Sequence, residues 1–208
     1  MNYIDLTHLV KKQLKKQSSL TKPTTGMVVF DLETNGLLND ATRIHCLSLY
    51  WSEDERMETF NDEPYAENPK DLPMGGNYSI TTGLGWLEVA DVLVGHNIIG
   101  FDIPIIQKLY PWFNPRGTIV DTLLLSRLYH PNLLDIDKQH AWKHMPLQLY
   151  GRHSLESYGY RLNEYKGNFS KTTDWKNWSK EMQDYCEQDV VVTTKLCKHF
   201  HPYLNGSR

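Results

Sequence analysis

Three strand-like segments follow one another between residues 27 and 60, and from residue 92 strand-like and helix-like segments alternate. A meander followed by βαβα restricts the chain to a mixed sheet flanked by helices, an α/β architecture. Met27-Val-Val-Phe30 is an apolar run bounded by Gly26 and by the turn signal Asn35-Gly36. Arg43–Trp51 and Arg56–Phe60 read as two more strands, joined near Ser52-Glu-Asp-Glu55. Connections this short make strand neighbours antiparallel. Val92–Val94 and Thr118–Val120 read as later strands. Phe101–Tyr110, Asp121–Tyr129 and Ser179–Phe200 read as helices. Pro64, Pro69, Pro73 and Gly75-Gly76 mark a loop. The stretch after Tyr129 reads as irregular, with helical turns near Ser154–Tyr160.

With 208 residues, 40% of them hydrophobic, the chain can bury the core of one domain with a short appendage. Residues 1–26 form that appendage and residues 27–208 the domain. In the appendage, Ile4, Leu6, Leu9, Val10 and Leu14 suit one helical face, and five lysines stand against Asp5. It reads either as a solvated helix or as a basic arm for DNA or a partner protein. Net charge is −3 and the pI about 6.3, which disfavours a protein that coats nucleic acid by bulk charge. Residues 53–71 carry eight acids against Arg56 and Lys70, a surface that faces away from phosphates. No apolar run is long enough to span a bilayer and no secretory signal opens the chain, so no membrane is expected. Cys46, Cys186 and Cys197 form no CxxC pair and lie in apolar runs. They read as buried thiols in a reducing, cytoplasmic compartment.

The informative residues are acids set inside apolar runs. In Val28-Val-Phe-Asp-Leu-Glu33, Asp31 and Glu33 are two apart and share one face of a strand. Asp102 is the one charge in Ile98–Ile106. Met182, Tyr185, Asp189, Val192 and Leu196 form one stripe of the last helix, with Asp189 its one charge. A carboxylate in such surroundings is costly unless paired, protonated or metal-bound. No Lys or Arg occurs between Val92 and Gln107. Hard divalent cations, which take oxygen ligands, are the natural compensating charge. Carboxylates converging from strands and helices suit two ions about 4 Å apart, the arrangement of in-line phosphoryl chemistry. Asp121 also follows an apolar strand, but as an N-cap ahead of Thr122 it needs no metal. Asp135 and Asp137 fall in a polar loop. His140 and His144 have nothing nearby to complete a metal site, and Gly83-Leu-Gly85 lacks the GK[ST] of a phosphate loop.

Asp31-Leu-Glu-Thr34, His96-Asn-Ile-Ile-Gly-Phe-Asp102 and Tyr185-Cys-Glu-Gln-Asp189 resemble, in order and spacing, the three motifs of the DnaQ-like (DEDDy) 3′–5′ exonucleases. Asp121-Thr-Leu-Leu-Leu-Ser-Arg-Leu128, Gly151-Arg-His-Ser-Leu-Glu-Ser-Tyr-Gly-Tyr-Arg-Leu162 and Asp184–Thr193 resemble the proofreading exonuclease domain of family-A DNA polymerases of short-tailed bacteriophages. The resemblance covers about residues 27–200. It implies an RNase H-like fold and a pair of Mg²⁺ or Mn²⁺ ions. The activity it implies is release of nucleoside 5′-monophosphates from single-stranded or frayed DNA 3′ ends. The setting would be phage DNA replication or proofreading in a bacterial host's cytoplasm.

By that resemblance Asp31 bridges both ions, Glu33 and Asp189 complete the shell of one, and Asp102 serves the other. Tyr185, one helical turn before Asp189, is then a catalytic residue that orients water, since a phenol of pKa about 10 is a poor base; the same position suits a core tyrosine. Leu32, Thr34, Asn97 and Phe101 are candidates for holding the terminal nucleotide, at positions that equally suit core and loop packing. Residues 152–180 carry six Lys/Arg against three acids, with Tyr158, Tyr160, Tyr165, Phe169, Trp175 and Trp178 interleaved. This suits either single-stranded DNA or a satellite hydrophobic cluster. The sequence ends at Arg208, where those polymerases continue into a larger domain, so polymerase activity is not implied; the chain reads either as a stand-alone nuclease, with a separate DNA polymerase as candidate partner, or as an excised domain. Two other readings use the same scaffold: a 3′–5′ exoribonuclease, and an inactive module that binds DNA or a polymerase. The intact motif acids argue against the second.

Overall fold

The computed structural model describes residues 26–63, 79–164 and 174–207. The expected meander is present as β1 (Met27–Thr34), β2 (Ile44–Trp51) and β3 (Arg56–Phe60), each antiparallel to the one before. β4 (Val92–Gly95) joins parallel to β1, and β5 (Thr118–Asp121) parallel to β4. The sheet order is β3-β2-β1-β4-β5. The described residues hold six α-helices: α1 (Ile80–Val89), α2 (Asp102–Leu109), α3 (Thr122–Tyr129), α4 (Leu133–His140), α5 (Leu155–Arg161) and α6 (Lys180–Leu204). None is long and apolar enough to cross a membrane. Residues 1–25, which carry the basic stretch, and the proline-rich loop residues 64–78 lie outside the described residues.

The period-two alternation of β1 divides the core in two. Val28, Phe30 and Leu32 pack with Leu47, Leu49, Trp51 and Phe60 of β2 and β3, under α1 and α2. On the opposite face Val29 packs with Val94 and with Val190 and Cys197 of α6, while Cys46 packs with Met182 and Cys186. The far side of α6 presents Val192, Leu196 and Phe200 to Leu133 and to Leu155 and Tyr158 of α4 and α5. A helix enclosed on two sides is apolar over a wide arc, which makes Asp189 on it conspicuous. All three cysteines are buried free thiols.

Two helices were not expected. α1 (Ile-Thr-Thr-Gly-Leu-Gly-Trp-Leu-Glu-Val) has poor intrinsic propensity because of its two glycines and two threonines. Packing outweighs propensity here. A Cβ on Gly83 would lie 2.7 Å from Leu47 Cδ2 and 2.8 Å from Phe60 Cγ, so the glycine lets the helix approach the sheet. α4 replaces part of the stretch read as irregular, and it corrects the assignment of Asp137 to a polar loop. Asp137 is fully buried. It accepts hydrogen bonds from Arg161 Nε (2.9 Å) and Nη2 (2.7 Å), Trp142 Nε1 (3.0 Å) and Gly151 N (2.8 Å). Burial alone would raise its carboxyl, but those bonds and the guanidinium charge outweigh burial and hold it below the usual carboxylate range. This knot ties α4 to α5 and so braces the layer behind α6.

Candidate active site

Asp31 and Glu33 alternate with Val28, Phe30 and Leu32, so they project from β1 onto the face that α6 covers. Their cross-strand partners on β2 are Ser48 and Cys46. α6 brings Asp189 to the same place. One carboxylate oxygen from each of Asp31, Glu33 and Asp189 lies within 4.8 Å of the other two. Asp31 and Glu33 are half-buried, and Asp189 is 7% exposed. Three hard oxygen donors at this spacing, on a strand and a helix each locked by the core, fit a hard divalent cation.

Asp102 stands outside that trio and is linked to it by charge. β1 pairs with β4 only through Val29, which leaves the later part of its β4-facing edge open. Asp102, first residue of α2, takes up that edge. Burial pushes its carboxyl up to about 7. The negative charges of Asp121 and Asp189 add to this, while hydrogen bonds from its own N–H and that of Leu32 oppose it. At 3% exposure its charged form is disfavoured unless a counter-ion offsets the burial.

The loop His96–Phe101 delivers Asp102, and Asp121 holds that loop. The expected N-cap is present: Asp121 Oδ1 accepts from Leu123 N (2.9 Å) and Leu124 N (3.4 Å). The same carboxylate also accepts from Asn97 N at Oδ1 (3.0 Å) and from Ile99 N at Oδ2 (3.1 Å). Asn97 sits at φ 67°, a left-handed conformation that Asn tolerates. Thr122 Oγ1 donates to Gly95 O (3.1 Å) and so receives the Nδ1 proton of His96 (2.9 Å). Asp121 thus does more than its local sequence indicates. Its loop partners lie 24 and 22 residues upstream, where no sequence spacing reveals them.

Tyr185 lies one turn before Asp189 on α6 and is half-buried. Its ring meets that of Trp175 edge-on, centroids 6.5 Å apart at 78°. Next to Tyr185 in the chain, Cys186 Sγ donates to the carbonyl of Asp31 at 3.3 Å and binds α6 to β1 at the acids. Burial raises that thiol well above its usual value, helped by Cys46 and by the charges of Asp31 and Glu33, so it stays a protonated packing group.

The nucleotide-holding candidates divide. Leu32 is 3% exposed in the main core, so its side chain offers no surface to a base. Thr34 donates its hydroxyl to Gly36 O at 2.6 Å and shapes the β1–β2 loop instead. Alternation along β1 places both side chains on the face away from Asp31 and Glu33. Asn97 is exposed, and Phe101 is half-buried against the main core. Among the aromatics of residues 152–180, Tyr158 is core, Trp175 and Trp178 pack on Cys46, Met182 and Cys186, and Tyr165 and Phe169 lie outside the described residues.

The sheet order and the acids gathered on its α6 face define an RNase H-like class. Residues 28–201 match the family model of the RNase_H superfamily, and the chain belongs to that superfamily. It is 33% identical over 209 residues to the DNA-directed DNA polymerase of Escherichia phage T7, and 34% to that of Enterobacteria phage T3. Each match covers 85% of this chain and 27% of the relative, so the chain spans about a quarter of the length of these curated relatives. Among solved structures, the fold is shared with Brucella melitensis NrnC with bound Mg²⁺ (TM-score 0.53, 15% identity, 90% of this chain and 78% of that one). It is shared too with the Aedes aegypti Nibbler EXO domain (TM-score 0.51, 14% identity, 98% and 91%).

Proposed function

We propose that this chain is a divalent-metal-dependent 3′–5′ exonuclease of the DEDDy type that removes nucleoside 5′-monophosphates from DNA 3′ ends. The observation that carries this reading is the trio Asp31, Glu33 and Asp189 within 4.8 Å, with Tyr185 one turn away on the helix that supplies Asp189. The relatives add support for DNA as substrate, since both matching proteins are DNA polymerases of phages. Asp31, Glu33 and Asp189 would hold one Mg²⁺ or Mn²⁺, with Asp31 and Asp102 serving a second. When bound, the ions supply a water of lowered pKa and positive charge near the leaving oxygen.

The chain's own residues do the rest. The packed β1 and α6 hold the carboxylates in place before substrate arrives, so little reorganisation is needed during reaction. Asp102 would hold a second cation only as the carboxylate, which its burial disfavours in the absence of that charge. The Tyr185 hydroxyl orients the attacking water. Asn97 and Phe101 flank Asp102 on the loop pinned by Asp121 and are the candidates for meeting the terminal nucleotide. Residues 27–208 form the nuclease unit, and a DNA polymerase is the candidate partner in replication or proofreading.

The test uses 5′-labelled DNA and RNA oligomers of one sequence, each with Mg²⁺ or with EDTA. A one-nucleotide ladder from the 3′ end of DNA, fastest on single strands, slower at mismatched ends and absent in EDTA, is expected. Unpairing a matched end costs a few kcal/mol and a mismatched end less, which sets that order. Undiminished activity in excess EDTA would sink the metal reading, and faster degradation of RNA would replace DNA as substrate. Cutting of a closed circular strand would make the protein an endonuclease.

A further inference from the structure

We propose that a β-bulge at His45 anchors Trp175, and that Trp175 positions the Tyr185 ring; the inference rests on the role given to Tyr185 above. Along β1 and β2, Glu33 pairs with Cys46 and Thr34 with Ile44, so His45 is the extra residue on β2. A bulge bends its strand and re-aims a side chain, and bulges are frequent beside active sites. This one lies opposite the strand that carries Asp31 and Glu33.

The re-aimed imidazole is 1% exposed, and a buried ring is costly unless bonded. Its Nε2 stands 3.1 Å from the carbonyl oxygen of Trp175, 130 residues away. A carbonyl only accepts, so Nε2 carries the proton. Nδ1 has no hydrogen-bond partner among the described residues and is the bare nitrogen. Burial lowers the imidazole pKa, with the charge of Arg43 adding to it against the raising effect of the Trp175 bond, in keeping with a neutral ring.

The anchored residue belongs to a formed turn. Asp174 accepts from Lys176 N (3.0 Å) and from Asn177 Nδ2 (3.0 Å), and Ser179 then caps α6 through Met182 N (3.1 Å). Trp175 and Trp178 pack on Cys46, Met182 and Cys186. Cys46 is the residue next to His45, and Cys186 is the residue next to Tyr185. The indole of Trp175 closes this package by meeting Tyr185 edge-on. A tyrosine half-exposed on a helix surface can change rotamer, and a hydroxyl that orients water must hold its place to about 0.5 Å. The indole packs against the ring and limits the rotamers open to it. Trp175 and His45 are therefore positioning residues: they act through Tyr185.

The test measures single-turnover hydrolysis of a single-stranded DNA oligomer at saturation, with Mg²⁺, in wild-type and Tyr185→Phe backgrounds. Trp175→Ala is expected to slow the wild type about ten-fold and the Tyr185→Phe protein less than about two-fold. His45→Leu should behave in the same way. His45→Gln, whose amide can donate to the Trp175 carbonyl, should recover most of the rate. Trp175→Phe keeps an apolar ring and guards against a variant that does not fold. Equal losses in both backgrounds, or a change confined to the oligomer concentration needed for saturation, would overturn the proposal; the second would make Trp175 a direct contact of the nucleic acid. The Tyr185 ring NMR signals, assigned with Tyr185→Phe, give a readout independent of activity. They should move in His45→Leu and return in His45→Gln. Signals that stay in place overturn the positioning role even in a protein that hydrolyses nothing, whereas absence of Mg²⁺-dependent hydrolysis in the wild type overturns the nuclease reading instead.

Discussion

Replacing Asp121 by Asn separates the two jobs of one carboxylate. In the wild type Oδ1 accepts from Asn97, Leu123 and Leu124, and Oδ2 accepts from Ile99. An asparagine at this position can keep its oxygen on the Oδ1 side, but its NH₂ then faces the Ile99 N–H, donor against donor. One charge-assisted hydrogen bond is lost, worth about 1.5–3 kcal/mol, and the other three weaken because their acceptor becomes neutral. Ile99 is exposed, so water can satisfy its freed N–H. The loss of repulsion with Asp102 returns part of the cost. The balance is a destabilisation of about 2 kcal/mol, measured by urea unfolding without metal at pH 7. Asp121→Ala, which also removes the N-cap, should cost more, about 3–5 kcal/mol. A second readout has a definite sign. Asp121 raises the Asp102 carboxyl, so Asp121→Asn should lower it and move the acid limb of the activity profile to lower pH. A stability change under about 0.5 kcal/mol would falsify the pinning role of Asp121, and an upward shift of the acid limb would refute its charge coupling to Asp102.

Asp31→Ala and Asp189→Ala should each abolish turnover with the fold intact, and should raise the Tm in metal-free buffer because clustered acids repel one another; a near wild-type rate removes that residue from the metal-holding set. Tyr185→Phe should cost roughly ten- to a thousand-fold in rate, and a loss as deep as that of Asp31→Ala would show that it holds the site together. Asp102 gives a pH dependence of stability. Its folded value of about 7 lies above the unfolded carboxylate value, so its contribution is fully present below the unfolded pKa and is lost as pH rises toward 7. Metal-free wild type should therefore lose more Tm than Asp102→Asn between pH 5 and pH 8, and Mg²⁺ should narrow that gap; equal losses in the two proteins would exclude Asp102 as the source.

Much of the fold was legible in residue patterns because its signals are local. Apolar runs broken by Asn35-Gly36 and Ser52–Glu55 locate the meander, and alternation on β1 puts Asp31 and Glu33 on one face. The stripe on α6 puts Tyr185 and Asp189 on another. A carboxylate in an apolar run is a local anomaly, so the motif acids could be read without coordinates. Their meeting could not: Asp31 and Asp189 are 158 residues apart, and only the packing of α6 across β1, through Val29, Val190 and Cys197, decides that they lie within reach of a shared ion. Helix α1 was illegible because its glycines signal a turn, and burial against Leu47 and Phe60 overrides that propensity. Asp137 was illegible because its cation, Arg161, is supplied from another helix. Leu32 and Thr34 stand in the motif beside the acids, yet alternation turns them to the other face of the strand. What the amino-acid order determined by itself is what periodicity and covalent neighbours control: which segments are strands and helices, and which face each acid takes. What the tertiary structure decided is every relation between distant segments, such as Asp121 on the His96–Phe101 loop, His45 on Trp175 and Asp102 on the open edge of β1. Those relations depend on how faces pack, and packing is a property of the whole core.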